Sequence, residues 1–66
     1  MNTFEERRRA AALTQEAVAK ALNIDRSTVA KWETGKALPT TKTLISAARL
    51  YGCTVDELLR EEEKPA

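Results

Sequence analysis

Sixty-six residues at a formal net charge of +1 make one domain, near the lower size at which an apolar core folds without disulfides or metal. The 42% hydrophobic content is enough for such a core, while a lone cysteine (Cys53) and no histidine exclude an internal disulfide, a zinc site and histidine-based catalysis. No apolar run approaches the roughly 18 residues of a membrane span, and Met1-Asn2-Thr3 opens no export signal, so a cytoplasmic chain without cofactor or membrane contact is expected.

Taken in order, Thr3-Phe4-Glu5-Glu6 fits a capping box, with Thr3 as N-cap and Glu6 reaching back, and predicts a first helix from Phe4 to Ala12. Phe4, Ala11 and Leu13 should face the core. Arg7, Arg8 and Arg9 cannot share one direction, because successive helical residues lie about 100° apart. Thr14 is a good N-cap for Gln15 to Leu22, a run of mostly strong helix formers. Asn23 tolerates the left-handed conformation of a sharp turn. Asp25 should cap the next helix, Arg26 to Thr34, which Gly35 ends. Two helices joined by so short a turn must cross steeply, forming a helix-turn-helix over about residues 14–34.

The apolar positions agree with that crossing. Val18 and Leu22 share a face at i, i+4, and Val29 and Trp32 share one at i, i+3. Ile24 in the turn plugs the angle between the helices, and Ala19 lies where their axes approach closest. The spacing of Trp32 from Val29 makes it a core residue rather than a stacking platform. The other face of the second helix carries Arg26, Ser27, Thr28 and Lys31, all able to hydrogen-bond a base edge.

Beyond Gly35, Lys36-Ala37-Leu38-Pro39 reads as a loop, in which Leu38 is extended before proline and turned inward. Thr40 caps a fourth helix, Thr41 to Tyr51, with Leu44, Ala47, Ala48 and Tyr51 on its buried stripe and Ile45 and Leu50 widening it. Gly52 stops it. Thr54-Val55-Asp56-Glu57 forms a capping box for a short fifth helix with Leu58 and Leu59. The domain is read as residues 1–60, followed by a frayed acidic tail at 61–66. Charge is segregated: residues 7–49 hold nine Lys/Arg against three Asp/Glu, and residues 50–66 hold two against five. A basic body with an acidic end suits one face meeting phosphate.

The run LTQEAVAKALNIDRSTVAKWETGKALP resembles the helix-turn-helix of the phage-repressor and Cro-like (Xre-type) transcriptional regulators. It does so through Leu13-Thr14-Gln15, Ala19, Ile24, Ser27-Thr28-Val29 and Trp32-Glu33-x-Gly35-Lys36. The likeness continues through Pro39, Leu44, Leu50, Gly52 and Val55-Asp56-Glu57-Leu58-Leu59. It implies an all-α, compact five-helix, lambda-repressor-like DNA-binding domain. It further implies base contacts from Arg26, Ser27 and Lys31, with Thr28 beside them, and phosphate contacts from Gln15, Thr34, Lys36, Thr41 and Lys42. Arg8 matches the family arginine that pairs with the glutamate closing the recognition helix, here Glu33, so a structural ion pair is expected. Arg7 stands where relatives carry an apolar residue, and Ala12 where they carry glycine. Ala12 therefore suggests a continued or differently ended first helix, since alanine in a left-handed cap costs on the order of 1 kcal/mol.

The function implied is a sequence-specific transcriptional regulator of repressor type, a homodimer on double-stranded DNA reading a palindromic operator. Its dimer surface would come from whichever of Leu50, Tyr51, Val55, Leu58 and Leu59 the core leaves exposed. A protein partner would relieve repression. The alternative is an antitoxin-like interaction module whose DNA binding is autoregulatory. No Gly-rich phosphate loop is present, and the carboxylates fall at caps, the ion pair or the tail, so no catalysis is expected.

Overall fold

The computed structural model describes residues 2–60, which form five helices: α1 (Thr3–Ala10), α2 (Gln15–Leu22), α3 (Arg26–Thr34), α4 (Thr41–Tyr51) and α5 (Val55–Leu59). The acidic tail expected over 61–66 lies outside the described residues.

Each of α1 to α4 stops in the same way. A left-handed residue follows the helix, its N–H returning to the carbonyl three residues back. The next N–H reaches five back: Leu13 to Arg8 at 3.1 Å, Ile24 to Ala19 at 2.9 Å, Lys36 to Lys31 at 2.9 Å and Cys53 to Ala48 at 3.0 Å. This paired closure satisfies carbonyls that the helix leaves open. The left-handed residues are Ala12, Asn23, Gly35 and Gly52, of which Ala12 at φ 59° is the strained member.

The expectation that Ala12 would prolong or redirect the first helix is thus corrected. The helix ends after Ala10, and the two closing bonds hold alanine in the glycine conformation. Replacing Ala12 with glycine removes roughly 1–2 kcal/mol of strain and adds about 0.4–1 kcal/mol of unfolded-chain entropy. A net gain of about 0.5–1 kcal/mol is expected, read as a melting temperature roughly 3–6 °C higher.

The start of α1 is also corrected. Asn2, not Thr3, is the N-cap, its Oδ1 accepting from Glu5 N at 3.0 Å. Asn2-x-x-Glu5 and Thr3-x-x-Glu6 are equally good local signals, and tertiary contacts choose between them. Asn2 Nδ2 donates to the Trp32 carbonyl at 2.8 Å, while the Thr3 hydroxyl donates to the Arg60 carbonyl at 2.7 Å. The chain start is thereby tied to the last turn of α3 and to the end of α5. Glu5 and Glu6 in the first turn and Arg7 to Arg9 in the last complement the helix dipole, and Arg9 Nη2 meets Glu5 at 2.8 Å.

The core is Phe4, Val18, Ala19, Val29, Trp32, Ala47, Ala48, Tyr51 and Leu58, one contiguous cluster to which every helix contributes. Leu13, Leu22, Ile24, Leu44, Leu50, Cys53 and Val55 pack around it, half-buried. Trp32 is 2% exposed and meets the Phe4 ring at 5.9 Å in a tilted arrangement, so its place is in the core.

Two apolar side chains expected inside are outside. Leu38 is 72% exposed, because the extended loop alternates: Ala37 and Pro39 are half-buried and Leu38 points away. Ile45 is 41% exposed, since the stripe through Leu44, Ala47, Ala48 and Tyr51 already occupies the inward face of α4. The fifth-helix capping box is present, with Thr54 N donating to Glu57 Oε1 at 2.9 Å and Glu57 N to Thr54 Oγ1 at 3.0 Å. That backbone bond holds the Glu57 carboxyl below its usual range.

Candidate nucleic-acid interface

On α3 the buried side is Val29, Trp32 and the Glu33 side chain. At 3.6 residues per turn, the residues opposite are Ser27, Lys31 and Thr34, at i, i+4, i+7. All three are exposed, as is Arg26 at one edge of the stripe; Thr28 at the other edge is half-buried. The outward face of α3 is polar and basic along its whole length. Asp25 sits at the N-cap position but makes no side-chain cap bond, so its carboxylate is free and the expected side-chain cap is not formed. The Thr34 hydroxyl donates to the Lys31 carbonyl at 3.3 Å.

The inward side of α3 is fixed by a polar network. Arg8 Nε donates to Glu33 Oε2 at 2.6 Å and Arg8 Nη2 to Glu33 Oε1 at 3.1 Å, while Nη1 donates to the Leu13 carbonyl at 2.8 Å. Gln15 Nε2 adds a bond to Glu33 Oε1 at 2.9 Å. The two charged side chains are only 11% and 4% exposed. The fork-to-carboxylate hydrogen bonds raise the Arg8 pKa against the opposing pull of burial, so the guanidinium stays charged. Residues from α1, the α1–α2 loop, α2 and α3 converge there, which locks the crossing of α2 and α3 to the rest of the domain.

The remaining candidates surround α3. Gln15, at the first position of α2, is half-buried and gives one of its two amide hydrogens to Glu33. Lys36, Thr41 and Lys42 are exposed. Lys42 and Thr43 face Ala21 and Leu22 across a depression of about 300 Å³ between α4 and α2. Thr28 lines a second groove with Ile24, Trp32 and the 37–40 loop.

Beside the ion pair, the Tyr51 hydroxyl is buried without a hydrogen-bond partner. Burial first, then the charge of Glu33, push its pKa up to about 12. The folded pKa lies above the ordinary value near 10. Its contribution to stability is therefore complete below pH 10 and lost as pH rises through 12. Tyr51→Phe removes the orphaned hydroxyl and should stabilise the fold by about 1 kcal/mol at pH 7. It should also abolish the loss of stability that develops between pH 10 and pH 12 in the wild-type protein. Urea melts of both proteins at pH 7 and pH 11 check this. Cys53 is half-buried, and burial pushes its thiol pKa up.

The Asn2–Trp32 and Gln15–Glu33 bonds, which brace α3 from within, are not among the sequence expectations. The local signal for Asn2 is the Asn2-x-x-Glu5 register, one step before Thr3-x-x-Glu6. The Gln15 bond spans 18 positions and has no local signature.

A family model described as Helix-turn-helix matches residues 4–58. The chain is 41% identical over 51 residues to the HTH-type transcriptional activator BcrR of Enterococcus faecalis. That alignment covers 77% of this chain and 25% of the relative, so the chain spans a quarter of its relative's length. No solved structure matches significantly. No helix among the described residues is long and apolar enough to cross a membrane. The five helices form a lambda-repressor-like fold, and the chain belongs to the Xre/Cro-like helix-turn-helix family of DNA-binding transcriptional regulators.

Proposed function

We propose that this chain is a sequence-specific regulator that lays α3 into the major groove of double-stranded DNA. The observation that carries this reading is the outward stripe of α3, Ser27, Lys31 and Thr34 with Arg26 at its edge, exposed opposite a fully packed inner face. Arg26 or Lys31 reads guanine O6/N7, Ser27 bonds a neighbouring edge, and the Thr28 methyl meets a thymine methyl. Gln15, Thr34, Lys36, Thr41 and Lys42 hold phosphates, setting register without reading sequence.

A module of this size buries too little surface for tight specific binding, so two copies act on a palindrome. Of the apolar residues considered for their contact, Tyr51 and Leu58 are consumed by the core. Leu59, at 45% exposed, with half-buried Leu50 and Val55, is left for the dimer surface. Regulation follows from occupancy. A site overlapping a promoter excludes polymerase and represses, and a protein partner that displaces the dimer relieves it. A site upstream recruits polymerase instead, in keeping with the relative named an activator.

Hydroxyl-radical footprinting on the bound duplex tests the dimer. Two protected patches on one face, about 10 base pairs apart, with two chains per duplex are expected. One patch with one chain would contradict it.

A further inference from the structure

We infer that Leu38 is an apolar DNA contact, packing on the deoxyribose edge of the strand that flanks α3. The inference rests on the proposed placement of α3 in the major groove. Leu38 is the most exposed large hydrophobic residue described, at 72%. It lines one groove of about 180 Å³ with Thr28 and Trp32 of α3 and with Thr40 and Thr43 at the start of α4. Thr28 is the edge of the outward stripe of α3, so the loop carrying Leu38 lies alongside that stripe. An α-helix with side chains is about 10–12 Å across and the major groove about 12 Å wide. Whatever flanks the helix on that edge meets a sugar–phosphate strand.

The charges on either side favour the same occupant. Lys36 precedes Leu38 by two residues and Lys42 follows by four, both exposed, whereas no Asp or Glu lies between Glu33 and Asp56. A loop bracketed by lysines and tipped by leucine matches a strand whose phosphates are anionic and whose sugar faces are apolar. A protein partner binding here would meet the same lysines, but would not share an edge with the base-reading stripe.

Two variants test the contact on a duplex that the wild-type protein selects. Leu38→Ala should leave the melting temperature unchanged, because the side chain is exposed. It should weaken DNA binding about three- to tenfold with the same slope of log K against log salt. Leu38→Lys should steepen that slope by about 0.9, the signature of one added phosphate neutralised. Unchanged affinity for Leu38→Ala together with an unchanged slope for Leu38→Lys would overturn the inference. If the wild-type protein selects no duplex at all, the reading of α3 itself fails, which is a separate outcome.

Discussion

Replacing Glu33 with alanine is expected to cost about 3–5 kcal/mol of folding stability while leaving the base preference of the folded fraction untouched. Glu33 accepts two bonds from Arg8 and one from Gln15, in a setting where its side chain is 4% exposed. Removing the carboxylate leaves a guanidinium that is 11% exposed with one hydrogen bond, to the Leu13 carbonyl, and a distant ion pair with Glu5 at 4.0 Å. A domain of this length has roughly 3–10 kcal/mol in hand, so much of the variant should be unfolded at 25 °C. A double variant, Arg8→Met with Glu33→Leu, should recover most of the loss, because an apolar pair of similar volume needs no desolvation. Urea unfolding of the three proteins measures both effects. A shifted base preference in Glu33→Ala would mean that the residue touches DNA.

The second large effect is on binding. Lys31→Ala should lose about 1–3 kcal/mol at the cognate site and relax preference at one base pair of each half-site. The residue is exposed in the middle of the outward stripe, so folding should change by less than about 0.5 kcal/mol. Lys36→Ala is the contrast: equal weakening on every sequence and a salt slope shallower by about 0.9. Competition binding against single-base operator variants separates the two. Equal losses on all duplexes for Lys31→Ala would reassign it to phosphate.

Much of this architecture is legible because its signals are local. Thr14, Thr40 and Thr54 cap where a side-chain oxygen precedes a helical run, and Asn23, Gly35 and Gly52 stop where a left-handed residue is tolerated. The bounds of α2 and α4 and the end of α3 follow from these residues. The outward stripe of α3 is legible too, since Val29 and Trp32 fix which side of the helix is inside.

What escapes is set by distant partners. Asn2 outcompetes Thr3 because the Trp32 carbonyl lies within reach, a contact across 30 positions. Ala12 accepts its strain because the turn it makes closes the Arg9 carbonyl and brings the Leu13 N–H back to Arg8. Leu38 turns outward because Ala37 and Pro39 take the inward positions, and no rule for the residue before proline selects a face. Gln15 is identifiable as the opening residue of α2, but its bond to Glu33 depends on how α2 crosses α3.

The central claim is that the outward stripe of α3 reads bases, and selection of binding sites from a random duplex library at near-physiological salt tests it most directly. Enrichment of a palindrome whose half-site centres lie about one helical turn apart is the expected result. Recovery of no motif, with binding that vanishes as salt rises, would contradict it, because only phosphate would then be recognised.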